Sequence, residues 1–271
     1  MSRVWFSQGL EAVATYWRIA RTDGVALGFT THDADLWFDG VLHQACPGMI
    51  PAAIRRSAAF DSDSAEVTGA ITHAALNGED LVSGRFDNAR VIVGLVDWET
   101  LEHQPIYSGS LGQVSAEDGT FVGELLSRKA ELARDIVPRT SPTCRADFCG
   151  TGCALSAVSY THEASVTAYD STANAVTLSS DVAAAHLVSG ALRWLDGPYA
   201  GMAMGIVDAA GSTAVLDTPL DRPLAGVVRV LLLEGCDRTL ATCAGRFGNT
   251  LNFQGEPFLP GNDLILRYGL A

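Results

Sequence analysis

The stretch "TYWRIARTDGVALGFTTHD", residues 15–33, decides the fold class. Tyr16, Arg18 and Ala20 alternate with Trp17 and Ile19, Asp23-Gly24 interrupts, and Val25, Leu27 and Phe29 resume the alternation. A period of two belongs to a strand, and Asp-Gly supplies the positive φ of a tight turn, so the stretch predicts a β-hairpin. The neighbouring "ADLWFDGVLHQA", residues 34–45, predicts a second hairpin turning at Asp39-Gly40. Further strands are expected at 66–72, 89–97, 105–115 and over "DGTFVGELL", residues 118–126. Two short helices are expected. One spans 7–14 with Ser7 as N-cap and Glu11 in its first turns, and the other spans 127–136 with Ser127 as cap.

Past Cys153 the composition shifts. Residues 163–235 are rich in Ala, Val, Thr and Gly and nearly free of Lys, and read as successive short strands with small turns. That spacing suits a compact β-barrel or sandwich. The last stretch carries Gly and Pro punctuation and reads as ordered loop with at most one helical turn. The expected fold is mainly β with a few short helices. It has a barrel-like first module over 1–143 and an inserted small barrel over 163–235. A cysteine region joins them over 144–162 and 236–271.

With 271 residues the chain is long enough for a core that needs no staples. Its net charge of −13 argues against a general nucleic-acid binder, which needs clustered Lys and Arg. No run approaches the roughly 20 apolar residues of a membrane helix. The start lacks a basic region followed by an apolar one, so no signal peptide is expected, and folding in a reducing cytoplasm is. That disfavours a disulfide framework for the six cysteines.

Cys144, Cys149 and Cys153 crowd one loop, "TCRADFCGTGC", and Cys236 and Cys243 form a second group about eighty residues later. If the two groups meet in space, a site of four thiolates is available, and such donors suit zinc or an iron–sulfur cluster. Zinc knuckles place their cysteines two to four residues apart, and neither outer pair does. Wider spacers lean towards a cluster, but spacing alone leaves both metals open, along with thiols that merely fill the core. Cys46 is isolated in an apolar strand context and reads as a buried small hydrophobe.

Three motifs carry a resemblance: "DGVALGFTTHDADLWFDG" (23–40), "SPTCRADFCGTGC" (141–153) and "EGCDRTLATCAGRFGNTLNFQGEPFLPGND" (234–263). Together they resemble the tail-hub family of gene transfer agents and related siphophages, over nearly the full chain. The resemblance implies a structural protein, not an enzyme. Such a protein forms a ring at the end of a phage-like tail, a homotrimer between the distal tail ring and the tip or central fibre protein. A tail peptidase is a further implied neighbour, DNA is passing cargo in the channel, and no membrane anchor is implied. Assembly would occur in the bacterial cytoplasm and residence in the tail of the particle. Related hubs, the tail-tip protein of phage lambda among them, hold a [4Fe–4S] cluster on four cysteines. Carried over, the ligands are Cys144, Cys153, Cys236 and Cys243; Cys149 departs from the pattern, as a spare thiol close to the cluster or a replacement for Cys153, and the outer spacing favours Cys153 as the ligand. The implied role is a clamp between modules. An acidic lumen would let DNA pass without sticking.

Readings from other classes are a soluble iron–sulfur redox protein and a zinc-stabilised binding module. "THDAD", with His32, Asp33 and Asp35, is expected to be a turn whose Asp side chains bond local amides, not a general base. His43, His73, His103, His162 and His186 show no ligand spacing. "SGSLG" at 108–112 lacks a nucleophile elbow, "GTG" at 150–152 is too short for a dinucleotide fingerprint, and no P-loop is present. Trp5, Trp17, Trp37, Trp98 and Trp194 are expected in core or interface. Arg246, Phe247 and Asn249 are expected to pack around the cysteine site.

Overall fold

A computed structural model describes residues 11–46, 50–51, 64–70, 80, 83–117, 120–127 and 137–259. The chain divides into two compact units, Met1–Asp135 and Ile136–Ala271.

The first unit is built on the expected hairpins. Strand β1 (Val13–Ala20) pairs antiparallel with β2 (Ala26–Thr30), with Trp17 opposite Phe29 and Ala20 opposite Ala26. Gly24 sits at φ +93° in the turn, in the region open to glycine. β3 (Leu36–Phe38) and β4 (Val41–Ala45) form the second hairpin, and Asp39 and Gly40 both take positive φ at its turn. β4 then runs parallel to β2.

Five more strands complete the sheet: β5 (Ile50–Pro51), β6 (Ser64–Ala70), β7 (Arg90–Asp97), β8 (His103–Glu117) and β9 (Thr120–Ser127). The nine strands lie in the order β3-β4-β2-β1-β7-β8-β9-β6-β5. Because β1 alternates, it feeds apolar side chains to both faces. Trp17 and Ile19 join Phe29, Phe86, Val91 and Leu125 in one cluster, and Ala14 and Tyr16 join Leu36, Phe38 and Val96 in another. Cys46 is buried in the first cluster, as expected of it.

Of the two expected helices, the one at 7–14 loses its last residues to the sheet, and the one at 127–136 lies, apart from Ser127, outside the described residues. Val13 and Ala14 already belong to β1, because the strand's alternation outweighs the local cap signal, and residues 7–10 lie outside the described residues. Ser127 closes β9, paired with Gly109, and residues 128–136 also lie outside the described residues.

The second unit contains a closed six-stranded barrel. Its strands are β10 (Thr161–Asp170), β11 (Ala175–Ser179), β12 (Ala191–Trp194), β13 (Ala203–Ala210), β14 (Thr213–Leu216) and β15 (Val228–Leu233). They close in the order β10-β11-β14-β13-β12-β15, with β15 returning to β10. Inward positions alternate along each strand, so Val166, Val176, Leu192, Trp194, Ile206, Val230 and Leu232 meet in one buried core. The mainly-β reading with a separate small barrel is thus what the chain adopts. Among the described residues beyond the barrel come one helix, α1 (Leu240–Gly245), and a 3₁₀ turn, Thr250–Asn252, somewhat more helix than the sequence suggested.

Candidate metal centre

The cysteines gather where the barrel's two ends leave it. Thr161 on β10 faces Leu233 on β15, so the chain enters and exits the barrel side by side. The 141–154 loop lies against both the 236–238 and the 249–256 segments. The Cys144 N–H donates to the Arg238 carbonyl at 2.8 Å, and the Arg145 N–H donates to the Gln254 carbonyl at 3.1 Å. Ser141 and Glu256 are joined twice. The Glu256 N–H donates to the Ser141 carbonyl at 2.7 Å, and the Ser141 N–H donates to the Glu256 carboxylate at 2.9 Å. Arg145 adds an ion pair to Glu256 at 2.7 Å. Gly255 sits so close to this lattice that a Cβ there would lie 2.7 Å from the Thr143 carbonyl oxygen.

Cys236 and Cys243 are set by the start of α1. The Thr239 side chain caps that helix by accepting from the Thr242 N–H. The Asp237 carboxylate accepts from the Thr239 N–H at 2.9 Å and from the Thr242 hydroxyl at 2.7 Å. Burial opposes its ionisation, yet these bonds hold its carboxyl below the usual range. Cys243 is buried on α1, and Cys144, Cys149, Cys153 and Cys236 are half-buried.

The thiols sit within electrostatic reach of one another. Burial pushes the Cys243 thiol up, and Cys144, Cys236 and Cys153 push it further. Cys236 is raised by burial and then by Asp237, Cys153 and Cys144, against a lowering hydrogen bond from Arg238. Cys149 is raised by burial and then by Cys153, Cys236 and Glu234. Cys236 and Cys243 are thus each raised by Cys144 and Cys153, and Cys149 by Cys153 and Cys236.

Three N–H groups aim at sulfur. The Gln254 N–H donates to Cys144 Sγ at 3.3 Å, the Arg238 N–H to Cys236 Sγ at 3.4 Å, and the Asn249 side-chain amide to Cys153 Sγ at 3.6 Å. Donors to sulfur favour thiolate, whereas burial and mutual repulsion disfavour it. A cation among the sulfurs would resolve that opposition. Among the described residues, no three His, Cys, Asp or Glu side chains are arranged so that they could hold a metal ion.

Of the flanking residues expected here, Asn249 also donates to the Cys153 carbonyl at 2.7 Å. Phe247 packs with Phe148 and Tyr160 at centroid distances of 4.9 and 5.3 Å, and the Arg246 guanidinium lies over Phe247. The sequence reading missed the anchor behind them, Glu234 at the end of the barrel. Its carboxylate is bonded by His162 Nε2 at 2.7 Å and by Arg246 Nη2, and Arg246 also donates to the Gly235 carbonyl at 3.0 Å. These two bonds outweigh burial and lower the Glu234 carboxyl. The residue's place immediately before Gly235-Cys236 was the only available signal.

"THDAD" is a turn as expected, but its local amide is bonded by His32, and Asp35 reaches to β4. The His32 ring accepts from the Ala34 N–H at 3.0 Å and Asp35 accepts from the Ala45 N–H at 2.8 Å. Trp17 and Trp194 are core residues, Trp37 is 61% exposed, and Trp5 lies outside the described residues.

Comparison with known proteins follows the same division. No curated protein matches the sequence. Residues 185–263 match a phage family of conserved hypothetical proteins, and this segment holds Cys236 and Cys243. A chain from the virion of a native gene transfer agent particle is similar throughout. It shares 30% identity at a TM-score of 0.85, over 98% of this chain and 94% of its own length. Residues 3–156, which hold Cys144, Cys149 and Cys153, match the N-terminal attachment domain of the baseplate hub proteins. The chain therefore belongs to the baseplate hub protein family.

Proposed function

We propose that the chain is a structural hub subunit of a phage-like tail, in a gene transfer agent or a siphophage. The observation that carries this is full-length similarity to a gene transfer agent virion chain, joined to the hub attachment-domain match. In this reading several copies, three by the resemblance, form a ring. The ring joins the distal tail protein to the tip or central fibre protein and surrounds the channel through which DNA passes. Its work is mechanical and not catalytic. The net charge of −13 suits a lumen that does not hold DNA.

Cys144, Cys153, Cys236 and Cys243 would hold a [4Fe–4S] cluster in that subunit. A four-iron cluster spaces its thiolates more widely than a single zinc ion does, and that is the reading taken here. The cluster would supply a covalent cross-link. The protein's own part would be to aim the Gln254, Arg238 and Asn249 donors at the sulfurs. Closing the loop of roughly eighty residues between Cys153 and Cys236 would remove about 4–5 kcal/mol of unfolded-chain entropy, by analogy with disulfides. The expected role is to clamp the barrel's two ends to the loops around them.

The test is anaerobic purification with iron and acid-labile sulfide assays, followed by electron microscopy of tail ends. Brown protein with near-equal iron and sulfide, and density for the chain between tube and tip, is the expected result. Colourless protein with stoichiometric zinc refutes the cluster. A tail-end map without this chain refutes the hub assignment.

A further inference from the structure

At the end remote from the cysteine-bearing stems, the barrel's seam opens. β15 pairs with β10 only as far as Val166, opposite Val228, whereas β11 follows β10 on to Asp170. The last four residues of β10 thus have a strand on one side only. On the other side the loop between β14 and β15 swings out, and a cavity of about 410 Å³ lies between strand and loop. Thr167, Tyr169 and Ser171 wall it on the strand side, and Asp221, Arg222 and Leu224 on the loop side. The register of β10 against β11 shifts between Val166 and Ala168. Such bulges re-aim side chains at barrel rims, and Thr167 is exposed here. The loop hangs from two tyrosines. The Tyr169 hydroxyl accepts from the Leu220 N–H at 3.0 Å and donates to Asn174 Oδ1 at 3.0 Å. Tyr199, buried in the barrel core, donates to Asp221 Oδ1 at 2.6 Å and accepts from the Arg222 N–H at 2.6 Å. A core side chain therefore fixes the orientation of an exposed loop carboxylate. With Oδ1 tied to Tyr199, Oδ2 is the acceptor left for a ligand.

The volume falls within the roughly 300–1,000 Å³ of small-molecule sites, which favour the mouths of β-barrels. We propose that this cavity binds one neutral sugar unit. The Asp221 carboxylate accepts from sugar hydroxyls, and the Thr167 and Ser171 hydroxyls exchange hydrogen bonds with others. Pro223 and Leu224 supply apolar surface for the sugar's C–H face. Asp221 and Arg222 cancel in charge, so the lining suits a ligand without net charge. A chain of net charge −13 disfavours a phosphorylated one. Because Tyr169 and Tyr199 already hold the loop, little ordering cost is left for binding to meet. Asp221, Pro223 and Gly226 are exposed, so the bound unit can belong to a longer saccharide that continues into solvent. The site needs neither the cluster nor the ring.

The test uses the full chain, as wild type and as Asp221→Asn, with folding checked by circular dichroism. The amide keeps an acceptor for Tyr199 and removes the charge that a sugar hydroxyl would meet. Saturation-transfer NMR is run with the methyl glycosides of glucose, galactose, mannose and N-acetylglucosamine, and with triglycine and AMP as probes of other classes. At least one glycoside is expected to receive saturation from the wild type. Its amide shift changes, read on labelled protein, should fall within residues 167–171 and 220–226. In Asp221→Asn the affinity for that glycoside should drop about tenfold, the loss expected when a hydrogen bond to a charged group is removed. No transfer to any of the glycosides overturns the proposal, as do shift changes confined to other residues or an unchanged affinity in Asp221→Asn. A stronger response from triglycine or AMP than from every glycoside overturns the sugar assignment. If Asp221→Asn does not fold, Thr167→Val decides by the same drop in affinity, and an unchanged affinity there overturns the proposal.

Discussion

Acidification should loosen the β3–β4 hairpin well before the acidic side chains titrate, and His43 is the reason. The His43 ring is fully buried on β4, stacked on Phe38 at 3.9 Å and 6°, and edge-on to Tyr16 at 5.4 Å. Among the described residues neither ring nitrogen makes a hydrogen bond of good geometry. Burial, and then the Arg18 guanidinium, lower its pKa from 6.5 to about 4. The nearby Leu36 and Val41 backbone favours the charged ring only slightly, and His103 disfavours it. The other charged neighbour is Asp39, paired with Arg18 at 2.5 Å.

The sign follows. Between pH 6.5 and 4 the unfolded chain takes up a proton that the folded chain refuses, so stability is complete above pH 6.5 and falls until about pH 4. The depression corresponds to about 3 kcal/mol, or roughly three-hundredfold in the opening equilibrium. Asp23 and Asp39 are held below the ordinary carboxylate range and titrate beneath this window. Hydrogen exchange of peptides spanning residues 36–45, corrected for intrinsic rates, should show the loss in the wild type. The profile should be flat across the same window in His43→Leu. Identical profiles for the two proteins would refute the reasoning.

Three further outcomes are expected. Asp23→Ala should destabilise the first unit by about 3 kcal/mol in urea unfolding, because Arg21 and Arg85 lose the carboxylate they converge on in a nearly solvent-free network. An effect under about 1 kcal/mol would mean that the network is solvated like a surface pair. Gly235→Ala should cost the second unit about 3 kcal/mol, since an added Cβ would lie 1.8 Å from the Val188 carbonyl oxygen; an unchanged thermal midpoint sinks this. If the proposed cluster is present, Arg246→Met should weaken its retention without unfolding the barrel, because it cuts the tie from α1 to Glu234 and Gly235 while leaving every cysteine in place. Metal analysis after dialysis against a chelator reads it, and undiminished retention contradicts the role.

Local chemistry made much of the fold legible. Asp23-Gly24 and Asp39-Gly40 mark their turns because positive φ is a property of a few residue types, and strand alternation is visible wherever one face is buried. The helix expected at 7–14 rested on a cap signal, and at Val13 and Ala14 pairing within the sheet prevailed. Barrel closure was only suggested, because the pairing of β10 with β15 joins residues some seventy positions apart and leaves no local trace. The candidate site was legible where it is made of cysteine, whose chemistry is narrow. Glu234 was not, since its importance comes from His162 and Arg246, which are remote in sequence. Nor was Asp23 as an ionic hub, since the same residue reads adequately as a turn former.

The side-by-side pairing of Thr161 and Leu233 has an evolutionary consequence. A barrel that begins and ends at neighbouring positions is a cassette. Its distal loops can lengthen, shorten or change sequence without altering the separation of its two stems, and the whole excursion could be exchanged for another closed module or for a tight two-residue turn. Lineages of such proteins can therefore diversify what they display on this module while the cysteine-bearing stems remain constant.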